Sequence, residues 1–222
     1  MKIAKAYLLF TELVNRSATN NNTSVDLPRF VSLFNWNQIK YVEWLLEKRN
    51  EDDVRDVSKL LIPQKELKLK RTKGTYSAFS LPKDYFNFAN LFIEAKKSKC
   101  IASDFLLFEA RADDVHELLG DSNNEPSFED RETFYHFIED SVMIYKKDFE
   151  IQKSFMTYYR YPRAVDIEGY IKADDSQSVS IDPEFDDKVV QKILLAMSKE
   201  FSAINNDQTS YAINKDRLST EI

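Results

Sequence analysis

The stretch from residue 126 to residue 170, PSFEDRETFYHFIEDSVMIYKKDFEIQKSFMTYYRYPRAVDIEGY, restricts the fold more than any other part of this chain. Phe134, Phe137 and Ile138 run into the turn-like pair Glu139-Asp140. Val142, Ile144 and Tyr145 run into Lys146-Lys147-Asp148, and a longer run from Phe149 to Tyr161 ends at Pro162. β-Branched and aromatic residues favour a pleated, half-buried backbone, and charged groups between them mark turns. The spacing predicts short antiparallel strands, and the aromatic density predicts the rigid body of the molecule.

Upstream the period is helical. Ile3, Ala6, Tyr7, Phe10, Leu13 and Val14 form one apolar stripe over 2–18, broken by Asn20-Asn21-Asn22-Thr23. Ser24 or Asp26 then caps a second helix, with Pro28 tolerated in its first turn. This helix carries Phe30, Leu33, Phe34, Tyr41, Trp44 and Leu45. Asp52 and Asp53 suit the start of a third, whose buried side is Val54, Val57, Leu60 and Leu61 and which Pro63 stops.

After Pro63 the period becomes alternating. Leu67 and Leu69, then Tyr76, Phe79 and Leu81, fit two strands around Gly74. An apolar strand follows through Phe88 to Ala95, then a strand at 105–110 and a short helix at 113–119 closed by Gly120. Residues 174–180 read as a polar loop. Asp182-Pro183-Glu184 opens a last helix whose Phe185, Val189, Ile193, Leu194, Met197 and Phe201 make a continuous stripe. The expected class is α+β: a helical part at 1–63, a mainly antiparallel β part at 64–170, a C-terminal helix at 171–205 packing on the first part, and an arm at 206–222. Tyr211, Ile213 and Leu218 stand isolated among polar residues, so the arm is expected to order on a partner.

Composition narrows the chemistry. Three glycines in 222 residues disfavour glycine-rich phosphate loops, and a net charge of −6 disfavours broad nucleic-acid binding. Cys100 is single, so neither an internal disulfide nor a cysteine metal cage can form. The short apolar run near the start is interrupted by Glu12 and Arg16, which predicts neither a membrane span nor a signal segment. The reading is of a soluble protein made in the cytoplasm, without cofactor and without membrane partner.

Four features could carry chemistry. The pairs Asp52/Asp53, Asp113/Asp114, Asp174/Asp175 and Asp186/Asp187 could serve metal or acid–base work, but each sits at an expected helix start or in a polar loop, where capping explains it. His116 and His136 have no partner at ligand spacing, and no nucleophile elbow accompanies Ser141. The basic run 65–73 could face a phosphate backbone; a solvated edge strand, with Lys68 and Lys70 on one face and Leu67 and Leu69 on the other, is the preferred reading. Tyr158, Tyr159, Arg160 and Tyr161 could stack on bases, but tyrosine beside arginine favours a protein interface.

The segments AYLLFTELVNRSATNNN, SVDLPRFVSLFNWNQIKYVEWLLEKRNEDD, LPKDYFNFANLFIEAKKSKC, PSFEDRETFYHFIEDSVMIYKKDFEI, MTYYRYPRAVDIEGYI and DPEFDDKVVQKILLAMSKEF follow one another up to about residue 205. In this order they resemble a structural protein of crAss-like tailed phages. The ending, YYRYP–VDIEGY–loop–DPE–helix, is similar to that of head-to-tail adaptor and ring proteins, including the tail tubular gatekeeper of podophages. The resemblance implies a non-enzymatic virion component at the portal vertex or tail, made in the bacterial host. It implies a ring, dodecameric in that family, that joins the capsid vertex to the tail around the DNA channel. Its partners would be copies of itself, the portal protein, neighbouring tail ring proteins and DNA passing without sequence-specific contact. The residues expected at a subunit or portal interface are Tyr158, Tyr159, Arg160 and Tyr161 on the strand, and Tyr211, Ile213, Arg217 and Leu218 in the arm. The alternative is a nucleic-acid-binding accessory protein acting through 65–73 and the YYRYP strand, and a metal-dependent hydrolase using one of the aspartate pairs is the third reading.

Overall fold

The computed structural model describes residues 1–15, 24–48, 55–98 and 100–204. The fold is α+β. The elements in chain order are α1 (Ile3–Asn15), α2 (Leu27–Lys48), a 3-10 turn (Ser58–Leu60), β1 (Leu61–Glu66), β2 (Lys68–Thr72), β3 (Tyr76–Ser80), β4 (Tyr85–Lys96), β5 (Ser103–Glu109), α3 (Val115–Gly120), β6 (Glu132–Ile138), β7 (Ser141–Tyr145), β8 (Glu150–Arg160) and α4 (Asp187–Ile204). They make two compact units. One comprises Met1–Lys59 with Pro162–Ile222, and the other is Leu60–Tyr161.

The helical unit is assembled from both ends of the sequence. α1 buries Ile3, Ala6, Phe10 and Val14, one face of a 3.6-residue period. Phe10 meets Phe30 of α2 at 5.6 Å and Phe201 of α4 at 5.9 Å, so three helices share one aromatic centre. The first turn of α1 is satisfied from far away: the Ile3 amide donates to Asp182 Oδ1 at 2.8 Å. α4 therefore begins at Asp187 and not at the expected 182. Asp182 is engaged at α1, and Glu184 accepts from the Arg163 amide.

The other unit is an eight-stranded sheet in the order β1-β8-β4-β5-β6-β7-β3-β2. Its two outermost strands, β1 and β2, are consecutive in sequence and separated by Leu67 alone, whose amide donates to Ser154 of β8. Residues 61–72 thus pair with β8 at one end and with β3 at the other, and the sheet curls into a barrel. Its interior is filled by side chains from around the circuit, among them Phe79, Leu91, Phe105, Ile144, Met156 and Tyr158. All pairings are antiparallel except β5 with β6, which lie parallel in the register Leu106↔Glu132 to Glu109↔Tyr135. That pairing needs a crossover, and α3 supplies it. Val115, Leu118 and Leu119 of α3 pack outside the barrel on Phe134, Met143 and Tyr145.

Two expectations change here. The start of the third helix lies outside the described residues. Residues 55–57 form a helical turn, the 3-10 turn comes next, and the chain then enters a strand that runs through Pro63. A proline is compatible with β1 because the strand pairs only with β8 and its register slips between Ile62 and Lys65, with Gln64 at φ 46°. Leu69 is also not buried with Leu67: Leu67 stands in the break between β1 and β2 and belongs to neither strand, and β2 is exposed along its length.

Candidate functional site

The YYRYP strand is the first candidate, and its residues divide. Tyr158 points into the barrel and is fully buried. Its hydroxyl donates to Asp84 Oδ1 at 2.9 Å and accepts from Lys65 Nζ at 3.1 Å, tying β8 to β1 and to the β3–β4 turn. Burial pushes the phenol above its ordinary range, and the Lys65 ammonium is held above its own by that hydrogen bond. Tyr158, expected at an interface, is instead an internal fastening of the barrel: every second residue of a barrel strand faces inward. Tyr159 and Arg160 are half-buried, with Arg160 Nη1 donating to the Tyr161 carbonyl at 3.0 Å. Tyr161 is 48% exposed and stands edge-on to Phe86 at 4.7 Å. Tyr211, Ile213, Arg217 and Leu218 lie outside the described residues.

The VDIEGY motif builds the most connected polar centre. The Asp166 carboxylate is buried and accepts from Tyr170 OH at 2.8 Å, from the Ile167 amide at 2.9 Å and from the Val179 amide at 3.3 Å, while Lys172 Nζ lies at 2.6 Å. Burial opposes its ionisation. The lysine, the phenol and the two amides outweigh burial and hold the carboxyl below its usual value. Burial and the adjoining carboxylate push Tyr170 up to about 12. Gly169 has φ 119°, and a Cβ there would meet Leu27 Cδ1 at 3.1 Å. The motif is thus a loop fastened to α2, and Asn35 completes the attachment by hydrogen bonds in both directions with the Val165 backbone, at 3.0 and 2.8 Å. Gln38, also on α2, donates to the Arg163 carbonyl at 3.2 Å. Asn35 and Gln38 were missed from sequence: polar residues on a helix carry no mark of which backbone they will meet.

The remaining candidates are dispersed. Asp174 caps its own turn through the Ser176 amide and hydroxyl, Asp186 pairs with Lys59, and Asp52 and Asp53 lie outside the described residues. His136 is buried against Tyr145 at 5.6 Å, its Nδ1 lacks a partner among the described residues, and burial holds its pKa down. His116 is exposed on α3. Among the described residues no cluster of histidine, cysteine and carboxylate could hold a metal ion, and no helix is long and apolar enough to cross a membrane.

No protein-family model matches the chain, and no curated protein is similar to it in sequence.

Two surfaces of the barrel remain. On β2, Lys68, Lys70 and Arg71 stand in a strand without a carboxylate. Lys70 reaches Asp140 at 2.7 Å, and the Arg71 guanidinium lies 5.7 Å from the Tyr76 ring. Beside α3 is an open groove of about 460 Å³ lined by Phe108, Glu109, Arg111, Asp114, Glu117 and Leu118, among others.

Proposed function

We propose that this chain is a virion structural protein. It forms a ring in the head-to-tail connector or tail of a tailed phage, joining the capsid vertex to the tail around the DNA channel. One observation carries the reading. The segments that resemble connector proteins are those that build the scaffold: Tyr158 fastens the barrel, Asp166 and Gly169 of VDIEGY fasten a loop, and Asp182 of DPE satisfies the first turn of α1. Motifs with such roles specify a shape, and shape is what a ring subunit repeats. A heterologous interface that closes gives a ring, and an acidic wall around a channel lets DNA slide instead of adhering. Cryo-electron microscopy of purified virions tests the reading. Density at the vertex below the portal that accepts this chain's aromatic side chains supports it, and absence of the chain from virions overturns it.

A DNA-binding accessory role is favoured by one observation, the exposed cationic strand β2. It requires DNA retention that weakens steeply with salt and is lost on changing Lys68, Lys70 and Arg71 to glutamine.

A further inference from the structure

We infer that the barrels of two copies meet head to tail, the cationic strand β2 of one copy lying in the α3 groove of the next. The feature that calls for a partner is an apolar face left uncovered. Leu106 is 74% exposed and Phe108 40% exposed, both on the outer side of β5, while α3 covers their neighbours on β6 and β7. Single exposed apolar residues are ordinary; two on one strand beside an open groove mark a contact.

Charge decides which occupant fits. The groove carries Glu109, Asp114, Glu117 and Asp121 against one guanidinium, Arg111. Asp114 and Glu117 are exposed and make no ion pair among the described residues. Its occupant should be extended, cationic and partly apolar. β2 has those properties: Lys68, Lys70 and Arg71 flank Leu69, which is 58% exposed, and β2 pairs on one side only, with β3. Strand order supplies the geometry. Around the closed barrel β5 is reached from β1 through β8 and β4, and from β2 through β3, β7 and β6. Groove and strand therefore lie on opposite sides of the barrel. A strand cannot reach its own groove, but it can reach that of another copy. Such a contact is heterologous and propagates from copy to copy. As the interface of a connector ring the inference rests on the reading above; as a contact between copies it stands separately.

The test uses the full chain in two variants, K68E/R71E and D114K/E117K, followed by sedimentation at low salt. Each variant alone is expected to associate more weakly than the unaltered chain, by about tenfold or more. An equimolar mixture is expected to recover association, because the reversed strand fits the reversed groove and the native strand fits the native groove. High salt should weaken the unaltered contact. Unaltered association in both single variants, failure of the mixture to recover it, or a monomeric unaltered chain would each overturn the inference. Circular dichroism of each variant separates loss of contact from loss of fold. If virions contain a ring of this chain built on other surfaces, the contact fails and the connector reading survives. If the mixture recovers association but virions lack the chain, the reverse holds.

Discussion

Asp166 shows how one carboxylate can hold a loop. Its removal in Asp166→Ala leaves Lys172, the Tyr170 hydroxyl and two amides without their common acceptor, and is expected to cost about 2–4 kcal/mol in denaturant unfolding. Because its folded pKa lies below the ordinary aspartate value, its contribution is complete above about pH 4 and is lost as pH falls through the folded value. Asp166→Asn should flatten the acid limb of the stability curve in that window. His136 acts in a higher window. Its folded pKa is lowered, so stability should begin to fall below about pH 6.5, where the unfolded chain takes up the proton first. His136→Phe should remove that slope in urea titrations. Gly169→Ala meets both a positive φ and the Leu27 methyl, and is expected to lower stability by about 1–3 kcal/mol.

Among the elements, the β1–β8 seam is the place to test barrel closure. Tyr158→Phe removes the hydrogen bonds to Asp84 and Lys65 and should cost about 1 kcal/mol, whereas Tyr158→Ala empties a fully buried site and should cost about 3–5 kcal/mol. Equilibrium denaturation distinguishes the two. The strands were legible because aromatic runs and charged turns alternate at 126–161 and because Gly74 punctuates β2 and β3. The edge strand through Pro63 was hidden, since a proline after an apolar stripe is the ordinary sign of a helix end and only the pairing with β8 reveals otherwise. The alternation at Leu67–Lys70 failed for a similar reason, because Leu67 lies in the break between β1 and β2 and its burial does not set the face of Leu69. The YYRYP motif drew attention as a surface, yet the pleat turns Tyr158 inward, and no reading of residue types alone could say which tyrosine it would be.

At the scale of the whole molecule, the barrel unit begins and ends on neighbouring strands, with Leu61 opposite Tyr159. A fragment of residues 60–161 should therefore fold cooperatively alone, giving dispersed amide resonances. A fragment of residues 1–59 should not, because it lacks Phe201 and the Asp182 acceptor that complete its core and its first turn. Dispersed resonances from the shorter fragment would contradict this division.

The bond from Ile3 to Asp182 spans 179 residues. On a ribosome adding 5–20 residues per second, the apolar stripe of α1 waits about 10–35 s for its acceptor. The barrel, whose partners all lie within 60–161, can close during that interval. α4 is thus the helix that lets α1 settle, and until it is translated the nascent chain carries the apolar stripe of α1 without Phe201 and Asp182, which makes early release or truncation a route to aggregation.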